Sequence, residues 1–218
     1  MTNFVTLSSS RLRLRPWREE DRAPFAALNA DPRVMEFFLS PLDRRESGAM
    51  VDGIEQHFCE HGFGLWAIEV PGVAPFIGFA GLSHKKFAAP FTPCVEVGWR
   101  LAFSHWGQGY ATEAAQLALA HGFGTRALAE IVSYTSVTNF RSRAVMERLG
   151  MRRNPADDFD HPLLPKNLHC NGTRSTGSIH IPGRAAAQNE WRSCETSITL
   201  GATNPCCNLP VIPPGVDP

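Results

Sequence analysis

Cys94-Val-Glu-Val-Gly-Trp-Arg-Leu-Ala102, continued by Phe103-Ser-His-Trp-Gly-Gln-Gly-Tyr-Ala-Thr-Glu113, decides how the chain is read. In the first half Val95, Val97, Trp99 and Leu101 alternate with Glu96, Gly98 and Arg100. That period-2 pattern predicts a strand over residues 94–102. The second half passes through Gly107-Gln-Gly109 into Tyr110, Ala114, Leu117, Ala118 and His121, which recur at helical spacing. A strand, a glycine turn and a helix start form a cradle for an anion. The first N–H groups of a helix lack internal partners, and the helix dipole is positive there. Glycine lets a phosphate come close to the backbone.

Two phosphate-binding motifs are excluded by the spacing. No Gly-Lys-Ser/Thr follows the turn, so it is not a P-loop. Only Gly107 and Gly109 are present of the three spaced glycines that a dinucleotide fingerprint needs. Trp106-Gly-Gln-Gly-Tyr-Ala111 resembles the pyrophosphate loop of the GNAT acetyltransferase superfamily, Gln/Arg-x-x-Gly-x-Gly/Ala. It matches at Gly109 and Ala111 and departs at Trp106. Tryptophan followed by Gly-x-Gly-Tyr-Ala-Thr-Glu-Ala resembles the branch that contains the ribosomal-protein N-terminal acetyltransferases. Asn139-x-x-Ser142 is a second family feature. A glycine turn with a purely structural role is the alternative.

Working outward, Arg11-Leu-Arg-Leu-Arg-Pro-Trp17 predicts a first strand, and residues 19–29 a helix that tolerates Pro24 only near its start. Asp31 before Pro32 predicts a second short helix over residues 31–38, and residues 43–61 carry a longer one. Residues 64–70 and 76–83 read as strands joined by Pro71-Gly-Val-Ala-Pro75; the second is apolar or small on both faces, as a central strand would be. Beyond the glycine-turn helix come a strand at 130–137, a helix at 139–149 capped by Asn139 and stopped by Gly150, and a short strand at 151–153.

The order β-α-α-β-β-β-α-β-α-β is that of the GNAT fold, and the resemblance covers residues 8–162, including Asp158-Phe-Asp-His-Pro162. It implies an α/β (α+β) domain: a mixed, mostly antiparallel sheet, helices on both faces, and an acetyl-CoA cleft splayed between the fourth and fifth strands. The family's last strand has no apolar counterpart here. From Lys166 the chain is rich in Asn, Thr, Ser, Gly and Pro without sustained periodicity. The expected division is a domain at residues 1–165 and an irregular tail at 166–218 in place of that strand. A shifted reading frame or a fused segment is a hypothesis for the abrupt change, tested by resequencing the gene.

The 218 residues allow one ordinary domain or one domain with an appendage. Lys+Arg and Asp+Glu number 21 each, for a net charge of +0, which argues against broad nucleic-acid or anionic-membrane binding. Met-Thr-Asn-Phe does not begin a signal peptide, and no apolar run is long enough to span a bilayer, so a cytoplasmic protein is expected. Monomer and homodimer both remain open. The six cysteines include no C-x-x-C pair. His57-x-x-x-His61, with Cys59 nearby, lacks further ligands for zinc and reads as a surface pair, so no metal is expected.

The resemblance implies acetyl-CoA as cosubstrate. Its pantetheine arm would pair with the backbone at Trp99, Leu101 and Ala102. Gly98, a glycine inside a strand, suggests a bulge or a close approach there. The diphosphate would sit on the amides of Gly107, Gln108, Gly109, Tyr110, Ala111 and Thr112. Asn139 would contact the arm or serve only as a helix cap. Arg141 or Arg143 would reach a phosphate or form a solvated helix face. The acceptor is expected to be a primary amine, either a protein N-terminus or a small molecule. A peptide α-amine titrates near ~8 and a lysine near ~10.4, so freeing the lysine amine costs about 4 kcal/mol and the α-amine far less. Mild base help therefore suffices, and positioning supplies much of the rest. Glu96 is the candidate base, or else an ion-paired strand charge. Ser142 is the candidate acid for the departing sulfur, with Tyr134 a weaker one. Trp17, Phe37, Phe38, Phe63 and Trp66 are either acceptor-pocket walls or core. A non-catalytic acyl-CoA-binding module, or an acetyltransferase made inactive by a disrupted C-terminus, is the competing reading, favoured by the missing last strand.

Overall fold

A computed structural model describes residues 5–161 and the backbone of residues 169–176. One sheet runs through it. Its strands are β1 (Leu7–Ser8), β2 (Arg13–Arg15), β3 (Leu65–Val70), β4 (Ala74–Lys85), β5 (Cys94–Leu101), β6 (Glu130–Ser136), β7 (Arg152–Arg153), β8 (Phe159–Asp160) and β9 (His169–Thr176). The order is β1-β2-β3-β4-β5-β6-β9-β7, with β8 also on β9. Every pairing is antiparallel except β5 with β6, which is parallel. Four helices cover the sheet: α1 (Arg22–Ala30), α2 (Arg44–His61), α3 (Tyr110–Ala120) and α4 (Phe140–Arg148).

The expected central strand is central. Residues 76–83 of β4 are all buried, because helices cover both faces. Alternation sends Phe79 to the α1 side, where it meets Phe25 at 5.9 Å, and Leu82 to the opposite side. There the chain leaving α3 presses close. A Cβ on Gly122 would lie 2.6 Å from Ile131 Cδ1 and 2.9 Å from Leu82 Cδ1, so only a glycine fits without displacement. Pro24 falls in the first turn of α1, where its missing N–H costs nothing. Asp43 caps α2 reciprocally with Glu46: each side chain accepts the other's backbone N–H.

Three expectations need correction. Residues 31–38 form successive turns rather than a helix. Val34 and Met35 N–H both reach the Asp31 carbonyl, and Phe38 N–H reaches Met35. The Asp31 carboxylate is engaged by the Arg33 backbone and guanidinium, and so short a segment cannot repay helix nucleation. Gly98 marks no bulge against β4, since the register is continuous from Cys94 to Leu101. The stretch read as irregular contains β9, which pairs with β6 over seven residues and with β7 and β8 on its other edge. His-Cys-Asn-Gly-Thr-Arg-Ser-Thr has no apolar alternation to announce a strand. The open edges on both sides recruit its backbone, and strand formation depends more on such context than on intrinsic preference. The sheet thus extends to Thr176, beyond the expected boundary at 165; residues 177–218 lie outside the described residues.

α3 continues through a π-helical turn at His121–Thr125. His121 is only 6% exposed, edge-on to Trp66 at 5.4 Å, and its Nε2 has no described partner. Burial first, then the Arg126 charge, lowers its pKa to about 4. The folded pKa lies below the unfolded one, so this contribution is present above the ordinary value of ~6.5 and lost as pH falls toward ~4. It amounts to about 3 kcal/mol at most. Urea unfolding at about pH 7 and about pH 4.5 should therefore show a steep acid loss that His121→Phe flattens.

Candidate active site

The glycine turn is held by two left-handed residues, Gly107 at φ 76° and Gly109 at φ 81°. Gly109 is the N-cap of α3. The first intrahelical bond runs from Glu113 N–H to the Gly109 carbonyl, 3.1 Å, so the amides of Tyr110, Ala111 and Thr112 precede the ladder. Arg11 stands beside them. Its guanidinium donates to the Gln108 carbonyl at 3.1 Å, pairs with Glu113 and lies 5.1 Å from the Tyr110 ring centre. A Cβ on Gly109 would come within 3.4 Å of it. Sequence reasoning misses Arg11 because 97 residues separate it from Gln108 and no motif joins them.

β5 has two unequal edges. It is paired with β4 along its whole length, but with β6 only at Glu96↔Val132. Beyond that pair the strands part. Ala102 N–H bonds to Ile77 on the β4 side, 2.9 Å. Backbone groups alternate between edges, so Trp99 and Leu101 turn theirs toward the opening. The Leu101 carbonyl is taken by Trp106 Nε1 at 2.8 Å, which leaves Trp99 as the exposed part of the edge.

Side chains on β5 divide by face. Glu96 is on the α1–α2 face with its cross-strand partner Ser83. Lys85 Nζ is 3.2 Å from its carboxylate, and the Tyr134 hydroxyl also bonds it. Burial is the largest influence and raises the Glu96 pKa, against the opposing pull of Lys85. Both readings of Glu96, ion pair and candidate base, are thus compatible with one geometry. Tyr134 is tied to the carboxylate and packs among Phe87, Phe159 and His161.

Asn139 caps α4. Its Oδ1 accepts from Ser142 N–H at 3.1 Å and its Nδ2 donates to Thr135 Oγ1 at 3.0 Å. Ser142 sits one turn into the cap, and its hydroxyl has no described hydrogen bond. Arg143 turns back to the Val137 carbonyl at 2.9 Å. Arg141 reaches outward instead, pairing with Glu36 and stacking 4.8 Å from the Trp106 ring centre. Pro32, Arg33, Glu36, Phe103, Trp106 and Arg141 enclose a groove of about 360 Å³.

The other expected groupings divide between core and surface. Trp17, Phe63 and Trp66 are core residues; Phe38 is 46% exposed. His57 meets His61 and also His84, but its ring is fully used: Nδ1 bonds the Phe63 carbonyl and Nε2 accepts His84 N–H. Among the described residues no group of His, Cys, Asp or Glu is arranged to hold a metal. No described helix is long and apolar enough to cross a membrane.

Residues 11–152 match the family model described as "Acetyltransferase (GNAT) domain". The chain is 31% identical over 152 residues to the uncharacterized protein YkkB of Bacillus subtilis, covering 69% of this chain and 87% of that protein. It is 32% identical to the FsC-acetyl coenzyme A-N(2)-transacetylase of Aspergillus fumigatus, covering 67% of this chain but 64% of that longer protein. The crystal structure of an acetyltransferase from Agrobacterium tumefaciens superimposes with a TM-score of 0.66 at 30% identity, over 78% of this chain and 94% of that one. RimL, a ribosomal L7/L12 α-N-protein acetyltransferase, shares the fold at 18% identity with a TM-score of 0.64, over 79% and 94% of the two chains. The chain belongs to the GNAT acetyltransferase family, whose members use acetyl-CoA as cosubstrate.

The Asn139 cap can be isolated from any ligand role. Asn139→Ala is expected to cost about 1 kcal/mol in chemical denaturation, and Asn139→Ser to recover most of it.

Proposed function

We propose that the protein is an N-acetyltransferase that passes the acetyl group of acetyl-CoA to a primary amine by direct attack in a ternary complex. The observation that carries this reading is the open edge of β5 immediately beyond Glu96, with the amides of Gly109 to Thr112 at one end. Trp99 and Leu101 would align the pantetheine arm, the Leu101 carbonyl through the lone pair that Trp106 leaves free; Ala102, expected in the same role, instead has its N–H on Ile77 and its carbonyl on His105 N–H. Gly107, Gln108, Gly109, Tyr110, Ala111 and Thr112 would hold the diphosphate. Left-handed Gly109 and the unladdered amides fit such an anion. Asn139 keeps a free N–H and lone pair for the arm while capping α4. Arg143 would have to release Val137 to reach a phosphate.

Acetyl-CoA, when bound, supplies an acyl group activated as a thioester. Glu96 takes the proton that the amine loses as its C–N bond forms. Ser142 Oγ gives a proton to the sulfur as the C–S bond breaks and regains one from water, to which Glu96 releases the proton taken from the amine. Lys85 holds the Glu96 carboxylate until the neutral acceptor amine replaces it. The acceptor is a protein N-terminus or a small amine. RimL is described as a protein α-N-acetyltransferase and the Aspergillus fumigatus relative as an N(2)-transacetylase, so the amine panel includes both kinds of acceptor. The competing binding-module reading rests on a missing last strand; the pairing of β9 with β6 supports the transferase reading instead.

Thiol release from acetyl-CoA across an amine panel, beside a CoA titration, tests the proposal; binding without turnover of any amine would refute it. Gly109→Val strains a left-handed position and crowds Arg11, and should weaken CoA binding about tenfold or more by calorimetry. Glu96→Gln should lower kcat about 100-fold or more. Because burial raises the Glu96 pKa, the wild-type acid limb should lie above the ordinary glutamate value of ~4.3 and vanish in the variant.

A further inference from the structure

Glu96, Gly98 and Arg100 share one face of β5 by strand alternation. The space above Gly98 is open. A Cβ there would meet nothing within 4 Å except the Glu96 carboxyl, at 3.8 Å. A lane floored by glycine therefore runs from a carboxylate at one end to a guanidinium at the other. Four residues of strand separate their Cα atoms by roughly 13 Å.

The guanidinium is unusual in its partners. Arg100 Nη1 donates to Asn29 Oδ1 at 2.7 Å and touches Met50 Sδ at 4.0 Å. Phe38 lies 4.1 Å from Cζ and Phe79 5.5 Å. Nε is buried without a described partner, and no described carboxylate balances the charge. The acids on the overhanging 31–38 segment are committed elsewhere, Asp31 to Arg33 and Glu36 to Arg141. Burial lowers the Arg100 pKa to about 10. A strut between β5 and α1 would need a hydrogen bond but no charge, and an uncompensated charge in such a place is costly. Sites that recognise an anion keep such a charge ready, and arginine suits carboxylate and phosphate geometry.

We propose that Arg100 is the anion subsite of the acceptor, so that the amine acetylated also carries a carboxylate or similar anion, laid along Gly98 with its amine at Glu96. This rests on Glu96 marking the amine end of the site. The anion pairs with the edge of the guanidinium that has no described partner while Asn29 holds Nη1.

The test compares ω-aminoalkanoates, from γ-aminobutyrate to ω-aminocaprylate, each with its primary amide. A peptide arm compares C-terminally amidated glycyl-glutamate with glycyl-glutamine. The wild type should favour the acid over the amide at least about tenfold in kcat/KM, in whichever arm matches the natural acceptor. Arg100→Met should bring that ratio to about one. Asn29→Asp should do the same by giving the guanidinium an internal carboxylate, and it guards against a folding defect in the first variant. Calorimetric titration of the same pairs into CoA-loaded protein reads the subsite without turnover. Equal treatment of acid and amide by the wild type, in both rate and binding, would overturn the proposal. So would an acid preference that both variants keep. Turnover of the neutral amides alone would leave the transferase reading intact while removing Arg100 from it.

Discussion

Along one side β5 is hydrogen-bonded to β4 from Cys94 to Leu101; along the other it touches β6 at Glu96↔Val132 and then departs. Backbone N–H and C=O groups facing that opening need partners, because unpaired polar groups away from water are expensive. Part of the demand is met inside the molecule: Trp106 reaches back to the Leu101 carbonyl. The remainder, at Trp99, is available to a ligand with amide groups of its own. The glycine turn and the start of α3 follow directly from the end of β5. One strand therefore carries an unpaired edge and leads directly into a helix start whose first amides have no intrahelical partner.

The same strand separates two chemistries by face. Val95, Val97 and Leu101 enter the core, whereas Glu96, Gly98 and Arg100 look toward α1 and α2. Charge on that second face is arranged against the usual economy of interiors. Glu96 is buried enough to raise its pKa yet keeps Lys85 and Tyr134 as partners, and Arg100 has an amide, a thioether and two rings but no described carboxylate. Buried Arg15, by contrast, is paired with both Asp21 and Glu69. The contrast points to function on the β5 face.

The strand, turn and helix of residues 94–120 were legible because each has a short-range signal: alternation, paired glycines and helical spacing. The Asn139 cap was legible for the same reason, as its partner Ser142 is three residues on. What stayed hidden depends on distant contacts. Arg11 meets the glycine turn across 97 residues, and Lys85 meets Glu96 across a loop. β9 carries no apolar pattern, and only the edges of β6, β7 and β8 make it a strand. The turns at 31–38 misled in the opposite direction, since Asp31 before Pro32 looks like a cap until Arg33 takes its carboxylate.

Amide hydrogen exchange on the full chain, with and without CoA, examines the central claim most directly. The account predicts slowed exchange at the amides of Trp99 and of Gly109 to Thr112 when CoA is present, with β3 unchanged. CoA that binds while those amides exchange as before would contradict it.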